Sequence, residues 1–227
     1  MTRFTQPAVI AAAGGFWLMA MSSVALAADG RALAVNGNGK GALPCVACHG
    51  AQGEGQPAAG FPRLDGLNAI YIRQQLDDFA DGKRNNDIMR PIAGALSPDE
   101  RQAVATFYAA QTAAKADEPA MADEATISRG AALAAFGDWS KGLPGCNLCH
   151  GPDGEGVAGT FPKLAGQNTK YITEQLKDWQ QGKRANDPLH LMTTVSAKLN
   201  DAEITAAAAY YASLPAVPAA SQQRPAR

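Results

Sequence analysis

The chain has 227 residues, with 20 Lys and Arg against 21 Asp and Glu, so its net charge is −1. That balance excludes a general nucleic-acid-binding role and a polybasic membrane-surface patch. Hydrophobic residues make up 46% of it, and its 23 Gly and 14 Pro mark many turns. This is the composition of a globular protein, with length for one large domain or two small ones.

The N-terminus reads as a secretory signal peptide over residues 1–27. Arg3 gives a positive start, an apolar run extends from Ala8 to Met21, and Ala25-Leu26-Ala27 is a small-x-small cleavage pattern. Gly14-Gly15 interrupts the run, which is shorter than the roughly 20 residues of a membrane span. The expectation is a periplasmic protein, exported into a compartment that tolerates disulfides.

The remainder is written twice. "LPCVACHGAQGEG" at 43–55 is answered by "LPGCNLCHGPDGEG" at 143–156, and "FPRLDGLNAIYIRQQLDDFADGKRNND" at 61–87 by "FPKLAGQNTKYITEQLKDWQQGKRAND" at 161–187. The offset drifts from 101 at the cysteines to 103 near the end, so small insertions separate the copies. The expected layout is a first domain at 29–112, a linker at 113–126, a second domain at 127–214 and a disordered tail at 215–227. "AAKADEPAMADEA" carries the linker signals and "PAVPAASQQRPAR" those of the tail.

Within each copy the signals are helical. Residues 69–81 carry a stripe of Ile72, Leu76, Phe79 and Ala80, with Asn68 to cap the start and Gly82 to end it. The twin is 169–181. Ser97-Pro98-Asp99-Glu100 predicts a capping box opening a helix that presents Val104, Phe107, Tyr108 and Gln111. Its twin opens at Asn200 with Glu203 and presents Ile204, Ala208 and Tyr211. Shorter helices are expected at 31–36 and 127–136. No segment alternates as a strand does. Modules this small, with few large apolar residues, need something more to fill their cores.

All four cysteines and two of the three histidines lie in "CVACHG" and "CNLCHG". Two disulfides would suit an exported chain, but that spacing gives a redox-type bridge and leaves the histidines idle. Zinc would find three ligands per copy and lack a fourth. Cys-x-x-Cys-His is the attachment signature of c-type haem: two thiols form thioethers and the adjoining histidine faces the iron. Cys45, Cys48 and His49 are therefore the candidates for one haem, and Cys146, Cys149 and His150 for a second. A haem would also supply the missing apolar core.

The opposite axial position decides the chemistry, because methionine closes the iron for electron transfer and an open position admits ligands. Met89 and Met192 stand at equivalent places, each expected in a loop before the last helix of its copy. His190, inside the extra residues of "NDPLHLM", is a rival ligand for the second iron. Lys83-Arg84, Lys183-Arg184, Tyr71, Tyr171, Gln75 and Gln175 recur and are candidate partners for haem carboxylates. Trp179, in place of Phe79, reads as packing.

The residues 29–214 resemble the cytochrome c4 family of exported di-haem cytochromes. The shared pattern is "CHG…GEG…FP.L…Y…QL…G.R.ND…M", twice, each followed by a helix ending in "FYAA" or "YYAS". Families of this kind often carry two adjacent methionines in the ligand loop, where this chain has Ile88 and Leu191 before its methionine. The resemblance implies an all-α fold of two tandem class I cytochrome c-type domains facing each other, each built around a covalent haem. It implies Cys45, Cys48, His49 and Met89 for one haem, and Cys146, Cys149, His150 and Met192 for the other. It also implies transient redox partners: a quinol-oxidising complex or dehydrogenase as donor and a terminal oxidase as acceptor, with any membrane association arising through them. The expectation is an electron carrier and not an enzyme. The alternatives are a small di-haem oxidoreductase of peroxidase or thiosulfate-oxidising type, and a cytochrome subunit of a larger dehydrogenase.

Overall fold

A computed structural model describes residues 1, 28–112, 122–157 and 159–216. Residues 2–27 of the expected signal peptide, most of the expected linker and the expected tail from 217 onward lie outside the described residues. Described residues form two helical modules with no strand, only isolated bridges. The first holds α1 (Gly30–Asn36), α2 (Val46–His49), α3 (Ala69–Ala80), α4 (Met89–Gly94) and α5 (Pro98–Ala109). The second holds α6 (Glu124–Phe136), α7 (Asn147–His150), α8 (Thr169–Gln180), α9 (Leu191–Ala197) and α10 (Asp201–Ser213). No helix among these residues is long and apolar enough to cross a membrane.

The caps fall where the sequence places them. Asn68 accepts from the Ile70 N–H, and Asn168 from the Tyr171 N–H. Ser97 with Glu100, and Asn200 with Glu203, close reciprocal capping boxes. Such caps are worth about 1 kcal/mol each. Residues 124–126, assigned to the linker from sequence, instead form the first turn of α6, because the Asp123 carboxylate accepts from the Thr126 N–H.

The two short helices α4 and α9 also correct the sequence reading. Met89 opens α4 and Met192 is the second residue of α9, where loops were expected. In both modules this short helix packs against the middle one, which packs against the last, while the first helix crosses the last. At that crossing Gly30 faces the carbonyl of Ala103, and Gly130 that of Ala206, so closely that a Cβ would collide with backbone.

Each module has a thin core. The first centres on Leu67, Ile72, Leu76, Phe79, Val104 and Tyr108. The second centres on Ile172, Leu176, Ile204 and Tyr211, with Leu133 and Leu143 beside it. The modules meet through polar groups. Asn85 N–H donates to the Lys183 carbonyl at 3.1 Å and Ala185 N–H to that of Lys83 at 3.2 Å, a near-twofold pair. Gln167 exchanges hydrogen bonds of 2.9 Å with both backbone groups of Arg63, and Asn168 Nδ2 donates to the Phe61 carbonyl at 2.9 Å.

Candidate functional site

The short helix after the first cysteine fixes the geometry of each motif. The Cys45 carbonyl accepts from the N–H groups of Cys48, at 3.2 Å, and His49, at 2.9 Å. Cys146 does the same for Cys149 and His150, at 3.2 and 2.9 Å. Residues three and four apart share a helix face, so both sulfurs and the imidazole of each motif point one way. Gly50 and Gly151, at φ of 83° and 80°, then turn the chain away. The Gly55 N–H returns to the His49 carbonyl at 2.8 Å, and that of Gly156 to His150 at 2.7 Å.

Both histidines are buried and held by one nitrogen. His49 Nδ1 lies 2.9 Å from the Pro62 carbonyl, and His150 Nδ1 lies 2.8 Å from that of Pro162. A carbonyl only accepts, so each Nδ1 carries the proton and each Nε2 keeps a free lone pair. Burial lowers both pKa values, against the raising effect of the carbonyl bond, and Arg184 lowers that of His150 further. Neutral imidazole with a fixed tautomer is the form that binds a metal.

The first thiol of each motif lacks the electrostatic signature of a redox pair. Burial pushes the Cys45 and Cys146 thiols up, where a reactive Cys-x-x-Cys has a lowered one. None of the four cysteines forms a disulfide. Among the described residues no three His, Cys, Asp or Glu side chains converge as metal ligands.

All eight predicted haem residues line one apolar cavity of about 460 Å³ that runs through both modules. Cys45, Cys48 and His49 face it beside Met89, and Cys146, Cys149 and His150 beside Met192. Met89 and Met192 are half-buried against the cores of their modules. Pro44, Pro62, Pro144 and Pro162 line the cavity as well. His190 does not. It is exposed, caps α9 in the left-handed region at φ 53°, and has its own N–H tied to the Asp187 carbonyl at 2.8 Å. Its exposure favours Met192 over His190, and His190→Ala should leave both haem spectra and both reduction potentials unchanged in spectropotentiometry.

The recurring polar residues do more than the sequence indicates. Arg84 donates to Gln75 in its own module at 3.0 Å, and to Tyr171 of the other module at 2.8 Å and to Gln175 there. Arg184 mirrors this, with Gln175 at 3.0 Å, Tyr71 at 3.3 Å and Gln75 at 2.9 Å. Asn186 joins through Gln75 at 2.9 Å and Asp78 at 2.6 Å. The network crosses the interface and lines the cavity. Lys83 and Lys183, proposed from sequence alongside the arginines, have exposed side chains outside the cavity lining.

Two buried guanidiniums in one network call for negative charge. Arg84 and Arg184 are 6% and 5% exposed, and neither lies within 4.0 Å of a carboxylate among the described residues. Burial lowers the Arg184 pKa, and repulsion from Arg84 adds to it. Unpaired charges at this depth are costly. Lys163 adds a third buried cation to the lining. Burial pulls its pKa down to about 8, opposed by Asp65 of the other module. Two uncharged polar atoms are buried in the lining without a partner, the Tyr108 hydroxyl and the Trp179 indole nitrogen.

This surface fits haem. Its apolar walls suit a porphyrin, paired thiols and a free Nε2 stand at one side of each half, and the guanidiniums of Arg84 and Arg184, with no carboxylate within 4.0 Å among the described residues, stand where the modules meet. When bound, each haem supplies an iron that takes up or releases one electron. The protein excludes water, fixes the imidazoles and places fixed charge beside the carboxylates.

Known proteins agree with that reading. The cytochrome c family profile matches residues 27–112 and again 127–215. A thiosulfate dehydrogenase electron acceptor of Stutzerimonas stutzeri is 45% identical over 88% of this chain and 93% of its own length. Cytochrome c4 of Pseudomonas aeruginosa is 37% identical, over 78% of this chain and 86% of its own length. The solved thiosulfate dehydrogenase from Marichromatium purpuratum superposes with a TM-score of 0.77 at 40% identity. It matches 82% of this chain, which spans only 40% of that larger protein. The two-module fold, the doubled motif and these likenesses make the chain a di-haem electron-carrying cytochrome c, and it belongs to the family with the cytochromes c4.

Proposed function

We propose that this protein accepts electrons one at a time from a dehydrogenase in the periplasm, with thiosulfate dehydrogenase as the leading donor, and passes them toward a terminal oxidase. The observation that carries this reading is the single cavity joining both Cys-x-x-Cys-His motifs across the module interface. Two redox centres in one apolar enclosure let an electron enter through one module and leave through the other. The relatives named as thiosulfate dehydrogenase electron acceptors favour that donor over a quinol-oxidising complex.

In this reading Cys45 and Cys48 would hold the first haem as thioethers, and His49 and Met89 would bind its iron. Cys146, Cys149, His150 and Met192 serve the second. The bonds to the Pro62 and Pro162 carbonyls hold the imidazoles of His49 and His150, and methionine as the other iron ligand would raise the potential and keep both irons closed to substrate. Residues 1–27 direct export, and cleavage after Ala27 releases the mature chain.

Mixing the oxidised protein with thiosulfate and a thiosulfate dehydrogenase should reduce both haems within the turnover time of that enzyme. Thiosulfate alone should leave them oxidised. Reduction by thiosulfate alone would contradict the carrier reading, and failure with the dehydrogenase present would remove that donor. N-terminal sequencing of the protein recovered from the periplasmic fraction checks the cleavage.

A further inference from the structure

We propose that the Trp179 indole N–H donates a hydrogen bond to a carboxylate of the haem in the second module, making Trp179 a positioning residue that sets the two haems apart. The inference rests on the haem assignment above and extends it to a residue that the sequence reads as packing.

The duplication supplies an internal control. Phe79 occupies the equivalent place in the first module, near the end of the matching helix. Each ring lies under the guanidinium of its own module. Arg84 is 4.5 Å from the Phe79 centroid and Arg184 is 3.9 Å from that of Trp179. A phenyl ring therefore supports the stacking as well; the indole offers a larger ring face and, as its one polar group, an N–H. That nitrogen is buried, lines the cavity and meets no acceptor. An orphaned buried donor costs roughly 1–3 kcal/mol. Indole nitrogen only donates, and guanidinium only donates. The indole N–H requires an acceptor, and the guanidinium stacked on it, whose N–H groups donate to Gln175, Tyr71, Gln75 and Asn186, lacks a carboxylate within 4.0 Å among the described residues. The carboxylates of a haem are that acceptor, and charge-assisted bonds of this kind are the stronger class.

The consequence is electronic. A carboxylate that accepts from Trp179 spreads part of its charge into the bond and stabilises the oxidised iron less. The second haem gains this and the first, beside Phe79, does not. Removing the donor should lower the potential of the second haem alone.

The test uses the full-length exported holoprotein and its Trp179→Phe variant, which installs the residue the first module already carries. Two readouts are needed. In the unaltered protein, nitrogen-15 labelling of tryptophan gives indole N–H signals for Trp139, which is exposed, and Trp179. Trp179 should exchange with solvent far more slowly than Trp139 and should shift between oxidised and reduced protein. In the variant, with two haems per chain retained, electron partition between the haems should change by about two- to tenfold, the equilibrium worth of one hydrogen bond. Exchange of the Trp179 N–H as fast as that of Trp139, or a variant with both potentials unmoved, overturns the inference while leaving the haem assignment intact. Fewer than two haems in the unaltered protein overturns the assignment and this inference with it.

Discussion

Replacing Met89 with alanine should turn one haem high-spin and open it to carbon monoxide, while the other stays low-spin and inert. Met89 stands at the first residue of α4 with its N–H tied to Asn86 Oδ1 at 2.9 Å, and its side chain lines the cavity that holds His49. Alanine would have no sulfur to bind the iron that His49 and Met89 would hold between them. The backbone of α4 has its own support, since Arg101 Nε donates to the Ala93 carbonyl at 3.1 Å and Ala93 is fully buried. The lesion should therefore be confined to the ligand. Axial ligands set haem potentials over about 0.8 V, so the potential of the altered haem should fall by an amount on the order of 0.1 V. Carbon monoxide difference spectra should report half of the total haem. A variant with both spectra unaltered would remove Met89 from the ligand set.

The second large effect is expected from Arg84→Leu. One side chain then fails on two counts. It withdraws the donors that satisfy Tyr171, Gln75 and Gln175, and it removes a positive charge from the cavity wall shared by both modules. Buried groups left unpaired cost about 1–3 kcal/mol each, and Gln75 and Gln175 keep partial cover from Arg184. Holding the modules together should weaken by a few kcal/mol on that scale. A unit charge at 4 Å acts with about 4 kcal/mol at an effective dielectric of 20, falling with distance, so loss of the guanidinium should lower both potentials. Relief of repulsion with Arg184 opposes the stability loss and not the potential shift. Thermal unfolding and spectropotentiometry of the same sample separate the two. Arg84→Lys should keep the charge, and most of the potential, while losing the crossed hydrogen bonds.

Much of this architecture is legible in the chain because the sequence repeats it. The doubled Cys-x-x-Cys-His, the caps at Asn68, Ser97, Asn168 and Asn200, and the paired methionines are local signals, and local signals survive without a structure. The short helices α4 and α9 are not legible. "MRPIAG" carries a proline inside its first turns, and "LMTTVSA" is crowded with β-branched residues. Their helicity comes from packing on α3 and α8, which propensity does not record. His190 misleads for a related reason. Its type suits iron, but the left-handed turn at the start of α9 carries the ring to solvent.

The interface is the other gap. Tyr71, Tyr171, Arg84 and Arg184 announce themselves by recurring, yet each arginine reaches the tyrosine of the opposite copy, across 87 residues in one case and 113 in the other. Nothing in a repeat says whether its parts pair within a copy or between copies. The same holds for Lys163 and Asp65, which belong to different modules. The one trace is a difference between copies, such as Phe79 against Trp179, or Asp65 against Ala165. Where duplicated modules diverge at a buried position, the divergence marks what each does alone.

The most direct measurement is the visible spectrum of the purified holoprotein, oxidised and reduced, with and without carbon monoxide, alongside a haem-to-protein ratio. Two covalent low-spin haems per chain, neither binding carbon monoxide at neutral pH, is the predicted result, with Met89 and Met192 closing both irons. Carbon monoxide bound to half the haem, or a ratio below two, would contradict it.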